Sequence, residues 1–487
     1  MSMRTVFFVL LFSTFGLAHA AQTPEAQTPE PGTLAWPGGY FNARTATDPS
    51  SPQPATTAQD LRVTATHLSI GIEWDIEGDT NHDATCTVQY RVAGKDAWRE
   101  ALPLLRVDYA GWHDSSNADQ PCNMLAGSVM FLRPGAEYEL RLVLADPDNP
   151  RAVEQTKRIR TKPWPEFKPA RTLHVEPKGD DTAAPRDGPE RNGSEKLPFQ
   201  GLRAALAVAQ PGDLFLLRGG SYGQAILLVS GQDGEADSPS DTTKYVGFKS
   251  ADAAKPAVFE EMRVHGSHVW LEGLKLERGP AAIGMRAEGE CENVVVRQCG
   301  FTGFRYSMLL SDRSRGWHVA DNDITGDTDA GVSGACVDLG HTGGHTVCYN
   351  RMSRSADGIA APHADCDIFG NVVVDMSDDA IEPDGGYANI RIWGNRLHGA
   401  TSISFQPMLS GPWYIVRNHC ISREETFKLR VQDRFVCVNN TFASFKTAVP
   451  AAQGLLGAYA RNNLWIHLGG SEFLWTCVAP DEDGYRN

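Results

Sequence analysis

Positive charge is scarce in this chain: 45 Lys and Arg stand against 60 Asp and Glu, a formal net charge of −15. A nucleic-acid partner needs a basic face, so none is expected. An acidic polysaccharide stays open, because local bases and a bound cation reverse the potential where it matters. The ten cysteines include no CxxC or other tight pair, which argues against a zinc centre. Most of them read as small buried apolar residues, with Cys86 and Cys122 as a candidate bridge. A long apolar run is also missing: a membrane span needs about 20 residues, and no segment beyond the N-terminus approaches that.

The N-terminus, "MSMRTVFFVLLFSTFGLAHAAQ", has an early Arg, an apolar run from Val6 to Leu17, then Ala18-His19-Ala20. This is the order of a secretory signal peptide, residues 1–20. The mature chain is therefore expected to be secreted or periplasmic. Residues 21–58, with the duplicated "AQTPEAQTPEPG", read as an extended Pro/Thr-rich linker.

Residues 59–163 alternate apolar and polar positions in "LRVTATHLSIGIEWDI", "TCTVQYRVA" and "AEYELRLVLADPD", a pattern of short strands. With Trp74, Tyr90-Arg91 and Tyr138 in "LRPGAEYELRL", the stretch resembles a fibronectin type III β-sandwich, in which Tyr138 would form the tyrosine corner. That resemblance implies a spacer or a carbohydrate-proximal docking unit, with no chemistry of its own.

From residue 171 to 487 the pattern becomes a repeat. "VADNDI", "VCYNRM", "IFGNVV", "IWGNRL", "IVRNHC", "CVNNTF" and "ARNNLW" share one frame around Asn322, Asn350, Asn371, Asn395, Asn418, Asn440 and Asn463, spaced 21 to 28 residues apart. Such a period marks a solenoid whose asparagines stack at one turn per coil. Upstream, "GLRAALAVAQPGDLFLLRGGSY" resembles, from Ala204 to Tyr222, the N-terminal cap of pectate-lyase-like right-handed parallel β-helix proteins. The expected fold is all-β: a right-handed parallel β-helix preceded by the sandwich, acting as a monomer. "LWTCVAPDEDGYRN" contains no legible polar cap, so the last coil is expected either to leave an open edge or to be truncated relative to its relatives.

The strands after the Asn turns align Val337, Ile359, Ile381, Ile403 and Phe427, which are 22, 22, 22 and 24 residues apart. If these point inward, the next residues form one outward column: Asp338, Ala360, Glu382, Ser404 and Lys428. Two positions further along lies a second column containing Asp384, Gln406 and Arg430. Coils lie about 4.8 Å apart, so an acidic patch and a basic pair share one groove, with His341 and His363 at its rim. For any one of these residues, a merely solvated face is the competing explanation; the order across five coils favours a site.

Parallel β-helix polysaccharide lyases set acidic metal ligands beside a Lys or Arg base on this outer face. Resemblance to them implies β-elimination from a uronate-containing polysaccharide. Ca²⁺ on Glu382, Asp384 and Asp338 would neutralise the uronate carboxylate. Lys428 would be the base with Arg430 holding the substrate, or the reverse. Ser404, Gln406, His341 and His363 would contact the glycan. The alternative is hydrolysis. Polygalacturonases carry "DG", "DDC" and "R-I-K" on successive coils, and Asp357-Gly358, Asp378-Asp379 and Lys428-Leu429-Arg430 fall in those places. The "GHG" of that family is replaced by "GATSIS". A non-catalytic glycan-binding β-helix is the third alternative.

Overall fold

The computed structural model describes residues 33–35, 42–44, 46–48, 50–95, 97–109, 111–112, 122–177, 191–232, 244–327, 333–405, 411–429, 432–446, 455–456 and 459–469. The signal peptide expected over residues 1–20 lies outside them. Within the expected linker, Thr33–Ala35 and Asn42–Arg44 pair with each other, and the second also pairs with Gly111–Trp112.

From about residue 171 to 467 the chain winds as a parallel β-solenoid of the right-handed type. A thirteen-stranded and an eighteen-stranded sheet run side by side along it, every pairing parallel between successive coils. Helix is nearly absent; the only one among the described residues is Leu202–Leu206, in the opening turn. The interior is apolar, with aliphatic side chains mixed with Phe and Trp. Met262, Met285, Met308, Val337, Ile359, Ile381, Ile403 and Phe427 form one inward column, each at most 1% exposed, which suits a strand covered on its inner face.

The asparagines close the turn. Asn395 is typical: its Oδ1 accepts from the Asn371 backbone N–H at 2.9 Å and side-chain amide at 3.0 Å. Its own amide donates to the Ile368 carbonyl at 2.9 Å and to Asn418 Oδ1 at 3.0 Å. The same pattern links Asn322, Asn350, Asn371, Asn395, Asn418, Asn440 and Asn463. Each amide carries both donors and an acceptor, so stacking identical residues satisfies all of them.

The N-terminal region forms two four-stranded antiparallel sheets, one built from Thr57–Ala65, Ile70–Glu77, Cys122–Val129 and Leu105–Tyr109, the other from Val153–Arg160, Glu137–Ala145, Thr85–Val92 and Arg99–Glu100. Ile72, Trp74, Val88, Leu125, Leu140 and Leu142 share their core. The expected bridge between Cys86 and Cys122 is not formed. Both are buried free thiols, Cys86 in that core and Cys122 in a separate apolar cluster with Met124 and Ala388, so they lie on different faces.

This region is not a detached spacer. Its sheet packs on the solenoid through a buried polar network. Thr66 Oγ1 donates to Asp367 Oδ2 at 2.5 Å, and Arg391, fully buried, donates to Asp367 Oδ1 at 2.5 Å and to Ser128 Oγ at 3.1 Å. The Ser128 N–H donates to the Tyr414 hydroxyl at 2.7 Å. Nearby, His67 stacks on Trp164 at 4.8 Å and meets His318 edge-on at 5.2 Å. Burial pushes His67 down to about 4 and His318 to about 3, so both rings are neutral at pH 7.

Candidate active site

The coil register is the one the aliphatic spacing implies. Val337 pairs with Ile359, Ile359 with Ile381, Ile381 with Ile403 and Ile403 with Phe427. Asp338, Ala360, Glu382, Ser404 and Lys428 thus stand in one column. Strict alternation, however, breaks in the strand Asp379–Glu382. Ala380 and Ile381 both line the core, so the residues flanking them, Asp379 and Glu382, reach the same side. Asp357, one coil back, joins them: its Oδ1 accepts the Asp379 backbone N–H at 3.1 Å.

One carboxylate oxygen from each of Asp357, Asp379 and Glu382 lies within 4.8 Å of the others. Burial pushes Asp357 and Glu382 well above the ordinary carboxylate range, and their acidic neighbours add to it. Burial likewise pushes Asp379 up to about 6, against the pull of Lys428. Asp379 is 1% exposed and its Oδ1 has no hydrogen-bond partner among the described residues. Three acceptors facing one another, two buried and Glu382 half-buried, are a costly arrangement unless protons or a cation sit between them. An all-oxygen donor set fits a hard cation such as Ca²⁺, so the residues present suit that ion.

Lys428 borders this group. Its Nζ donates to Asp379 Oδ2 at 2.9 Å and also to Asp378. Burial pushes its pKa down, but Asp379 and Asp378 outweigh that and hold it above the ordinary lysine value. In this state Lys428 is an ammonium ion, not a ready base.

The decapeptide "SDDAIEPDGG" is therefore used almost residue by residue. Asp378 and Asp379 hold Lys428, Glu382 joins the carboxylate group, and Asp384 accepts from Ser404 Oγ at 2.9 Å. Gly385 has φ 68°, a left-handed conformation glycine adopts without strain. Gly386 lies against Trp413, where an added Cβ would come within 2.3 Å of the ring.

Not every residue singled out from the sequence joins the cluster. Asp384 is turned to Ser404. Asp338 stands two coils from Glu382, its Oδ1 accepting the Gly340 N–H at 2.9 Å. The oxygen set that converges is Asp357, Asp379 and Glu382, not the Glu382, Asp384 and Asp338 set expected as metal ligands. His341 is exposed at the end of its strand. His363 stacks on Tyr387 at 5.6 Å, and its Nδ1 lies 3.1 Å from the Gly385 carbonyl. Gln406 and Arg430 lie outside the described residues. Asp357 was legible in the sequence only as part of the hydrolase pattern; nothing in the alternation signals that it meets Glu382. Compared with protein-family models and with curated proteins, the chain matches none.

Proposed function

We propose that this chain is an exported carbohydrate-active enzyme that cleaves a uronate-containing polysaccharide by β-elimination. The observation that carries the reading is the convergence of Asp357, Asp379 and Glu382 beside the Lys428 ammonium on the outward side of the solenoid. A cation on those three carboxylates would supply neutralisation of the uronate carboxylate, the step that acidifies the C5 proton. Ser404, tied to Asp384, lines the same column between Glu382 and Lys428. Lys428 holds a proton in the resting state and acts as base only when it loses it. Elimination should therefore accelerate as pH rises into the alkaline range. The solenoid architecture supports membership of the pectate-lyase-like group. The two-sheet order, with the Arg133 N–H donating to the Tyr138 hydroxyl at 2.9 Å, supports a fibronectin type III module at the N-terminus.

Hydrolysis is the second reading, favoured by Asp357, whose raised pKa would let it hold a proton as a general acid. Oxygens of Asp357, Asp379 and Glu382 approach within 4.8 Å, which speaks against inversion alone, since an inverting pair stands about 6.5–9.5 Å apart to admit water.

The test is a panel of uronate-rich polymers with added Ca²⁺ or chelator. Elimination gives an unsaturated product that absorbs in the ultraviolet; reducing ends without that absorbance favour hydrolysis. Neither signal across the panel favours glycan binding alone. Lys428→Ala and Glu382→Ala should each abolish turnover with an unchanged circular dichroism spectrum. Wild-type rates in both variants would remove the site.

A further inference from the structure

The strand carrying Asp379 and Glu382 runs directly into a loop, Pro383 to Asn389, that also belongs to the interface with the N-terminal sheets. Its first half is tied to the solenoid. Asp384 accepts from Ser404, the Gly386 N–H donates to the Pro383 carbonyl at 3.0 Å, and the Tyr387 N–H donates to the His363 carbonyl at 2.6 Å. Its second half is held by solenoid backbone at Gly411 and Asp365 and, through its side chains, by the N-terminal sheets. The Tyr387 hydroxyl donates to Met124 Sδ at 3.8 Å, and Tyr387 and Ala388 pack with Val107, Tyr109, Cys122, Met124 and Ala126. Ser128 Oγ then donates to Asn389 Oδ1 at 2.9 Å.

We infer that the N-terminal sheets position the candidate site. Met124 and Ser128 hold the Pro383 to Asn389 loop through Tyr387 and Asn389, and so fix Glu382 and Asp384. This rests on the site reading above and gives the N-terminal region a working role. The physical reason is the shortness of the link. Four residues separate Glu382 from Tyr387, and two of them are glycines, so the loop has little stiffness of its own. The solenoid holds the loop's backbone, the His363 carbonyl accepting the Tyr387 N–H, the Gly411 N–H donating to the Tyr387 carbonyl at 2.7 Å and the Asp365 N–H to the Ala388 carbonyl at 3.0 Å; Met124 and Ser128 add the side-chain hold from the N-terminal sheets. Residues that orient ligands from outside the site typically cost about 10- to 100-fold in cation affinity when removed.

The test uses the full-length chain and two readouts, Ca²⁺ affinity by calorimetry and amide hydrogen exchange at Gly386 and Tyr387. Met124→Ala and Tyr387→Ala should weaken Ca²⁺ binding about tenfold and speed exchange at both amides. Tyr387→Phe keeps the ring between His363 and the apolar cluster and should retain most of the affinity. Leu142→Ala, in the N-terminal core away from the loop, should lower the unfolding midpoint while leaving affinity and loop exchange unchanged. A Met124→Ala protein with wild-type loop exchange overturns the inference, as does a Leu142→Ala protein with the same loss as Met124→Ala. If the wild type takes up no Ca²⁺, the cation reading falls, and the exchange arm still decides whether the sheets hold the loop.

Discussion

Along one turn of the solenoid, asparagines from Asn322 to Asn463 stack with every amide paired. Along an outer face of the same coils, Asp357, Asp379 and Glu382 converge with one buried oxygen unpaired and their pKa values raised. Both arrangements place polar side chains on neighbouring coils at the same spacing. The amide is self-complementary, so repetition stabilises it. The carboxylate is only an acceptor when ionised, so repetition repels. A fold that stacks one residue type so well shows, by contrast, where stability has been given up, and such places are where function is to be sought.

That contrast can be broken from either side. The largest effect is expected at the ladder: Asn395→Ala leaves the Asn371 N–H and amide without their acceptor. At about 1–3 kcal/mol for each buried unsatisfied group, it should lose about 4 kcal/mol in denaturant unfolding. Arg391→Ala at the interface leaves Asp367 buried with its charge uncompensated and should cost about 3 kcal/mol by the same measurement. Glu382→Gln should do the opposite, relieving the cost of keeping a carboxyl among Asp357 and Asp379 with its pKa held well above the ordinary value, and raising stability at pH 8 by about 1 kcal/mol, while Ca²⁺ uptake and turnover are lost. A Glu382→Gln protein less stable than wild type would show that the cluster is not strained.

The pH dependence sharpens the comparison further. Asp379 has a folded pKa of about 6 against an ordinary 3.8, so the folded state holds its proton more tightly than the unfolded chain. Its contribution is full below the ordinary value and is lost as pH rises through about 6. The stability difference between wild type and Asp379→Asn should fall across that window, and saturating Ca²⁺ should remove the fall. His67 runs the other way. Its folded pKa of about 4 lies below the ordinary 6.5, so its contribution is present above 6.5 and lost as pH falls through 4. Thermal melts of wild type and His67→Gln from pH 4 to 7 would show it. The smallest effect is expected at Asp338→Asn, which stands apart from the carboxylate group and should leave Ca²⁺ affinity unchanged.

Much of the architecture was legible without coordinates. The Asn frame and the aliphatic spacing from Val337 to Phe427 identify coil length and register, because a slip of one residue would turn Ile381 and Ile403 to water. The composition of the site was legible too, down to Glu382 and Lys428 in one column. Its membership was not. Alternation alone sets Asp379 on the same side as Ile381, and only the consecutive inward pair Ala380-Ile381 brings Asp379 round to Glu382. The docking of the N-terminal sheets was equally hidden, since Ser128 and Met124 are unremarkable in a strand and Thr66 in the turn after one, and they meet Asn389, Tyr387 and Asp367 across 261 to 301 residues of chain.

The amino-acid sequence by itself determined the coil, its period and which face is dry, because these follow from local periodicity and the aversion of aliphatic side chains to water. Which carboxylates meet, that Asp378 and Asp379 hold Lys428, and what holds the loop after Glu382 were decided only in three dimensions. Those contacts depend on a local break in strand geometry and on packing between distant segments, and neither leaves a periodic trace along the chain.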